Sequence, residues 1–496
     1  MAKRRKALLM LSLASVLGGW AMGGCGSTQA PGPGTPTGDN GGGGPAPDAV
    51  LALLPEAQRT ATYVGNDVCA TCHGAAARTR QAPEKDIAEF RASAHGQAQV
   101  GCEQCHGPGS NHINGPASDN ILGVPSILNH QVCSACHSET TAQYAESAHA
   151  SVVEVVEEAV EEPTARRDCL TCHSSLYALE MVDQPHSQGK SAADVTAAIT
   201  ALTADQIKEM AEHTTSSATC GNCHDVHSLT GNTDPEGHDH QLRQAMTRRN
   251  PGEVPPLATA QADFRMFDHG CAKCHMGGSS RTANNTDQAL RSGSSRPNMH
   301  DNPQYYLLMG RGGVERNATS DDETEADLAA HSKLPGQCST CHMPNGDHRM
   351  HVDYGVSCAP CHSASQAESL AHNQAEETTQ RLGALLARFE AWASANVGDA
   401  ASWDYTSLIP AGHPRPPAAD LPIELLRARH NYYLVVRDLS LGVHNPGYTD
   451  ELLDVAEAQM TALGIPARGV GRSRSELDAA IREARERANA ADVHEL

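Results

Sequence analysis

Apolar residues along this chain recur at helical spacing, and no stretch sustains the alternation of a strand. Residues 192–212 put Val195, Ile199, Leu202 and Ile207 on roughly one face and predict a helix. A longer helix is predicted where Leu382, Leu385, Leu386, Phe389 and Trp392 fall at i, i+3, i+4, i+7 and i+10. A Pro-rich break at 410–417 closes that segment, and 425–441 and 448–463 read as two further helices. Between them Asn445-Pro446 signals a helix end. The last helix opens at Ser473, with Glu476 completing a capping box and Asp478–Arg482 and Glu483–Arg487 spaced as i,i+4 ion pairs. Residues 152–160 form the one β-branched run. Glu154, Glu157, Glu158 and Glu161 are interleaved with it, so helix and ribbon fit equally well. The expected class is mainly α with long irregular loops, and the apolar stripes of the tail are expected to pack as core.

The core such helices can build is short of aromatic residues, which make up 3% of the chain, with four Phe. Large apolar planes must therefore come from elsewhere. The cysteines suggest the source. Sixteen of the 17 fall in eight copies of Cys-x-x-Cys-His. The copies are Cys69, Cys72 and His73; Cys102, Cys105 and His106; Cys133, Cys136 and His137; Cys169, Cys172 and His173; then Cys220, Cys223 and His224; Cys271, Cys274 and His275; Cys338, Cys341 and His342; and Cys358, Cys361 and His362. This is the attachment pattern of c-type haem: two thiols add to the porphyrin vinyl groups as thioethers, and the adjacent imidazole ligates the iron. Zinc ribbons do not require a histidine after each cysteine pair. Iron–sulfur clusters close on four thiolates, and disulfide frameworks do not place every cysteine in one local motif. The expected cofactors are eight covalently bound haem c, with the chain wrapped around a stack of them.

The ends of the chain add an address. Lys3-Arg4-Arg5-Lys6 precedes an apolar run at 7–20 that is too short to span a bilayer comfortably. Met22-Gly23-Gly24-Cys25 then resembles a bacterial lipobox, with Cys25 as the lipidated residue. Ordinary signal-peptidase cleavage, leaving Cys25 a free thiol, is the alternative. Gly26 after the cysteine resembles the sorting signal for the outer membrane. The expected divisions are a lipoprotein-type signal peptide at 1–24, a flexible Gly/Pro-rich tether at 25–60, an octahaem domain at 61–375 and a helical region at 376–496. Motif starts lie 33, 31, 36, 51, 51, 67 and 20 residues apart, near-regular at first and then with insertions. With the four leader cations removed, 33 basic residues face 59 acidic ones, a net −26. That balance argues against a nucleic-acid partner and favours redox partner proteins, besides a membrane reached through lipid on Cys25.

Function turns on the far side of each iron. A second histidine gives a closed centre for electron transfer, and a missing one leaves a site for substrate. Subtracting the eight motif histidines from 27 leaves 19. His95 and His149 sit in matching Ser-Ala-His contexts, His112 and His227 closely follow motifs, His269 precedes the sixth, His351 lies between the last two, and His444 stands in the tail. These seven are the candidate distal ligands. His238, His240, His348, His413 and His494 are expected to be ordinary polar residues, and Asp234 with His238 and His240 a polar loop. Met276 and Met343, each following its own motif histidine, are expected to pack.

The opening, from Tyr63-Val64-Gly65 through the first motif, His95 and Cys102-Glu103-Gln104-Cys105-His106-Gly107-Pro108-Gly109, resembles tetrahaem cytochromes that accept electrons from hydroxylamine oxidation. Residues 271–277, 300–306 and 338–344, with the helical tail carrying His444, resemble the hydroxylamine oxidoreductase and multihaem nitrite reductase superfamily. The resemblance spans most of 61–460. Such nitrite reductases replace one motif histidine by lysine, and all eight motifs here keep histidine. The oxidoreductase branch leaves its fourth haem open and crosslinks it to a tyrosine. The matching motif would be 169–173, with Tyr432 or Tyr433 in the tail. The leading expectation is an exported cytochrome that carries electrons between a quinol-linked donor and a terminal acceptor or reductase. The alternatives are an oxidoreductase of the hydroxylamine, nitrogen-oxyanion or tetrathionate class acting at one open haem, and a structural subunit of a cytochrome wire.

Overall fold

The computed structural model describes residues 45–74, 87–117, 120–124, 126–187, 189–233, 237–244, 246, 270–276, 286–292, 303–315, 329–404 and 412–465. Among them the fold is mainly α with long irregular connections. Among the described residues no strand occurs beyond one isolated antiparallel bridge between His224 and Leu242. The leader, Cys25, and the helix expected from Ser473 lie outside the described residues, as do Asp234, His269 and His494.

The interleaved run at 152–160 resolves as helix α1 (Glu154–Glu161), which buries Val156 and Ala159, exposes Glu154, Glu157 and Glu161, and turns Glu158 inward onto buried Arg166 at 3.1 Å. The predicted helix at 192–212 is two helices, α2 (Ala192–Ala201) and α3 (Ala204–Glu212). Thr203 breaks it because its hydroxyl accepts from Gln206 N–H while the Gln206 amide oxygen accepts from Thr203 N–H. This capping box is more favourable there than continuing the helix. The two helices pack with Leu170, Leu176, Tyr177 and Met276 around the middle motifs.

Two expected boundaries move. The flexible tether was expected to reach residue 60, but 45–60 is folded. Ala46, Val50 and Leu54 are buried with Leu122 and Val132, and Gln58 is fully buried. Gln58 Nε2 donates to the carbonyls of His106 (2.9 Å) and Pro108 (3.0 Å). The turn it grips depends on Gly107, whose φ is +73 and where a Cβ would lie 2.4 Å from Leu54 Cδ2. The division expected at 375–376 also fails, because helix α4 (Ala364–Asn396) begins two residues after His362 and runs straight through it.

Helices α4, α5 (Ile423–Asp438) and α6 (Pro446–Ala462) form a C-terminal bundle. Asn445-Pro446, read as a helix end, instead opens α6. Asn445 caps it by accepting from Tyr448 N–H, and Pro446 occupies the first turn, where its missing N–H costs nothing. The bundle concentrates the few aromatics of the chain. Phe389 stacks on Trp403 at 5.1 Å, and Tyr432 and Tyr433 pack against Trp403. Buried Arg429 pairs with Asp404, which also accepts from Tyr433 OH at 2.7 Å. Arg381 on α4 reaches Asp450, Asp454 and Glu457 on α6.

His430 sits on α5, 1% exposed, with Nε2 donating to Gly312 O at 2.8 Å. Burial pushes its imidazole down to about 4 from 6.5. The unfolded chain therefore binds the extra proton between those values. This contribution to stability is complete above pH 6.5 and is lost as pH falls toward 4, at up to about 1.4 kcal/mol per pH unit. His430→Gln should flatten the acid-side slope of unfolding free energy, measured by denaturant melts of the holoprotein at a series of pH values. An unchanged slope would show that His430 is not the group that titrates.

Candidate haem-binding sites

Most of the motifs lie on short helical turns, and the reason is spacing. In a helix the residues at i, i+3 and i+4 share one face, so both thiols and the imidazole point the same way. Residues Asn66–His73, Cys102–His106 and Cys338–His342 are α-helical. The N–H groups of His137, His173, His224, His275 and His362 each donate to the carbonyl of the first cysteine of their motif, at 2.8–3.1 Å. The second motif is tied down from within. The Glu103 carboxylate, 7% exposed, accepts from the N–H groups of Val64 (2.9 Å), Gly65 (2.8 Å) and Gly109 (2.9 Å).

All eight motif histidines, and every motif cysteine except Cys361, line one continuous cavity of about 4090 Å³. A pocket for a single drug-sized ligand takes roughly 300–1,000 Å³. This one has room for several large planar groups, and Cys361, the one motif cysteine outside its lining, is exposed.

Across the cavity, imidazoles meet in pairs. His73 faces His112 with ring centroids 6.2 Å apart, His106 faces His227 at 6.1 Å, and His137 faces His95 at 6.0 Å. His275 faces His149 at 6.1 Å, His224 faces His348 at 6.5 Å, and His342 faces His444 at 6.2 Å. Two imidazoles on opposite sides of one metal, with bonds of about 2.0 Å and nitrogens about 1.1 Å from their ring centroids, stand about 6.2 Å apart. The six centroid separations therefore match the spacing of two imidazoles that share one metal.

Many outer nitrogens are fixed. Nδ1 of His106, His224, His342 and His348 donates to the carbonyls of Leu122 (2.8 Å), His240 (2.8 Å), Met350 (3.2 Å) and Gly346 (2.7 Å). His112 Nδ1 donates to Ala117 O at 3.2 Å. A carbonyl can only accept, so these rings carry the proton on Nδ1 and leave Nε2 for a metal. Nδ1 of His95 and His275 meets the amide oxygens of Gln241 (3.0 Å) and Gln304 (3.2 Å). His444 Nδ1 lies 2.7 Å from Asp438. Burial alone would lower the His444 imidazole, but the Asp438 carboxylate outweighs it and holds the group above its usual value. His149 has no such carboxylate; burial and the neighbouring His275 push it down to about 4.

Five of the seven distal candidates, His95, His112, His149, His227 and His444, thus stand opposite motif histidines. His269 lies outside the described residues. His351 does not face a motif histidine. It is exposed on the loop beside Asp347, and the neighbour set aside in the sequence, His348, faces His224 instead. The reason is a turn at Asn345-Gly346, both with positive φ, which brings the Gly346 carbonyl under the His348 ring. That Asn-Gly pair, three residues past a motif, was the available signal. His238 and His240 pack edge to face at 5.7 Å, and the His240 carbonyl supports His224. Met276 is buried in the central core, 1% exposed. Tyr432 and Tyr433 are buried in the bundle and line no part of the cavity, so neither is placed to crosslink a group at the fourth motif.

Thiol contacts order the motifs in space. Cys69 contacts Cys102, Cys133 contacts Cys220, Cys271 contacts Cys338 and Cys172 contacts Cys274. Cys105 lies near Cys136, Cys223 near Cys271, and Cys341 near Cys358. The line runs first, second, third, fifth, sixth, seventh, eighth, with the fourth motif branching from the sixth.

A family model for cytochrome c554 and c-prime matches residues 53–107, a span holding the first two motifs. It supports covalently bound haem c there and agrees with the resemblance read from that opening. No curated protein matches the chain. Among solved structures, the chain is similar to the undecaheme cytochrome from the S-layer of Carboxydothermus ferrireducens, with 22% identity and a TM-score of 0.44, covering 74% of this chain and 51% of that one. It is also similar to the outer cell wall cytochrome OcwA, with 18% identity and a TM-score of 0.45, covering 73% of this chain and 70% of that one. The chain thus spans about half the length of the first of these.

Glu103→Ala should strand three N–H donors at the second motif. The expected cost is about 1–3 kcal/mol, read as a lower denaturation midpoint of the holoprotein with its haem count unchanged. A midpoint equal to the parent's would mean that the carboxylate contributes nothing net.

Proposed function

We propose that this chain is an exported, lipid-anchored octahaem c-type cytochrome that transfers electrons between protein partners, linking a quinol-linked donor to a terminal acceptor or reductase. The observation that carries the reading is the set of six opposed imidazole pairs at 6.0–6.5 Å around a single cavity. When bound, each haem supplies a one-electron iron couple, kept closed and low-spin where two imidazoles hold it.

The side chains do the rest. Motif thiols fix each ring covalently, and Nδ1 anchors such as Leu122 O, Gly346 O and Asp438 set the orientation and basicity of the ligating imidazoles. Apolar neighbours, among them Leu128, Leu179 and Leu308, keep water from the cavity wall. Contact between successive motifs supports a relay along the line of thiols, with the fourth as a side branch. The acidic balance of the chain favours a basic face on its redox partners. The lipobox-like Met22-Gly23-Gly24-Cys25 supports anchorage at the outer membrane. The superfamily's open fourth haem draws no support from Tyr432 or Tyr433.

Intact-mass measurement of the exported protein should show eight haem additions, and fewer than seven would mean that some motifs are not attachment sites. His348→Ala and His444→Ala should each convert one low-spin haem to high spin at an unchanged haem count, while His238→Ala should not. A spectrum identical to the parent's would remove that histidine from the ligand set. Cys25→Ser should release the protein from membranes and abolish palmitate labelling; unchanged fractionation would refute the anchor.

A further inference from the structure

The sixth and seventh motifs are neighbours, with Cys271 against Cys338, yet the outer nitrogens of their imidazoles rest on acceptors of different strength. Around the sixth, Nδ1 of His149 donates to the Met350 thioether at 2.9 Å, and Nδ1 of His275 donates to the Gln304 amide oxygen at 3.2 Å. A thioether is a weak acceptor, and an amide oxygen belongs to a neutral group. Around the seventh, Nδ1 of His342 donates to the Met350 carbonyl at 3.2 Å, and Nδ1 of His444 lies 2.7 Å from a carboxylate oxygen of Asp438.

Two residues serve both sites and keep the contrast fixed. Met350 turns its sulfur to His149 and its carbonyl to His342, from a backbone at φ +58. Gln304 offers its amide oxygen to His275 while its Nε2 donates to the Asp438 backbone carbonyl at 3.2 Å. That carbonyl can only accept, so the amide is held with its oxygen toward His275.

The Asp438 charge is not spent on another cation. Its side chain is fully buried, and among the described residues it forms an ion pair with His444 alone. Its second oxygen accepts from the Ser440 N–H at 3.2 Å and from the Ser440 hydroxyl. His227, by contrast, stands 4.0 Å from Asp225, a carboxylate already paired with Arg243 at 3.1 Å. The cation inside the sixth motif, Lys273, is buried against Asp183, and the two charges largely cancel. The difference between the two sites therefore lies in what holds the imidazoles.

A carboxylate on the outer nitrogen draws the Nδ1 proton toward itself and makes the ring a stronger donor at Nε2. A stronger axial donor favours the more oxidised iron and lowers its potential. Burial strengthens the effect of the charge. We propose that Asp438 holds the haem of the seventh motif at a lower potential than its neighbour at the sixth, a built-in downhill step for one electron from the seventh to the sixth. The proposal rests on the octahaem reading with paired imidazoles. The carboxylate acts as a fixed charge, so no bond changes as the electron passes. Electrons arriving at the C-terminal end of the line are drawn to the sixth motif, which touches both the fifth and the fourth.

Intact mass comes first, so that a count other than eight counts against the octahaem reading and not against Asp438. Low-spin ferric signals of the holoprotein are then followed by electron paramagnetic resonance through a potentiometric titration. Asp438→Asn keeps an acceptor beside His444 but removes the charge. It should alter one low-spin signal and shift its midpoint to higher potential, with eight haems retained. Ser440→Ala keeps the carboxylate and strips a donor from it, so the same signal should shift to lower potential. Met350→Leu removes the thioether from His149, leaves the backbone carbonyl for His342, and marks the sixth-motif signal. In the parent, the signal marked at Asp438 should titrate below the one marked at Met350. The reverse order overturns the proposal, as do parental midpoints throughout in both Asp438→Asn and Ser440→Ala. Should Asp438→Asn lose a haem, Ser440→Ala decides: a shift to lower potential supports the step, and no shift overturns it.

Discussion

The spacing of two imidazoles around one metal is the constraint on which this architecture depends. A motif supplies one ring from a short local turn, and the other must arrive from elsewhere at about the same separation each time. In this chain the second ring comes from as near as 39 residues, His73 with His112, and as far as 126 residues, His149 with His275. The His106–His227 and His224–His348 pairs interlock, so that the segment after the fifth motif faces the second and the loop after the seventh faces the fifth. Cross-links of this kind tie the order of the chain to the order of the cavity. A chain with so few aromatic residues can then dispense with a large conventional core, because metal–imidazole links and porphyrin faces hold segments that would otherwise have little reason to meet.

The C-terminal bundle is the exception, and its position shows why it exists. It carries the aromatic cluster of Phe389, Trp403, Tyr432 and Tyr433 and has an apolar interior of its own. Its link to the cavity is the connection from α5 to α6. Asp438 ends α5, Leu439 and Leu441 take positive φ, and His444 emerges opposite His342 with Asp438 at its outer nitrogen. A rigid bundle thus sets the place of one imidazole. The Asp438 carboxylate that orients the ring also makes it a stronger donor than one held by a carbonyl.

How much of this was legible varies with the physics. The motifs can be read directly from the chain, because the haem-attachment pattern is written in five consecutive residues. The tail helices were legible from their 3.6-residue period, though Thr203 split one expected helix and Asn445 reversed the sense of a presumed terminator. Matching contexts also carried weight: Ser93 and Ser147 each donate to a carbonyl three residues back, Phe90 O and Tyr144 O, both at 2.7 Å, and each sets the following histidine on a helical turn. The choice between His348 and His351 was only half legible: Asn345-Gly346 marks a turn, but not which histidine the turn presents. It depends on the backbone turn at Asn345-Gly346 and on which of two nearby loop residues reaches a motif over a hundred residues earlier. The folded state of 45–60 was hidden as well, because Val50 and Leu54 find partners only once the second and third motifs are in place.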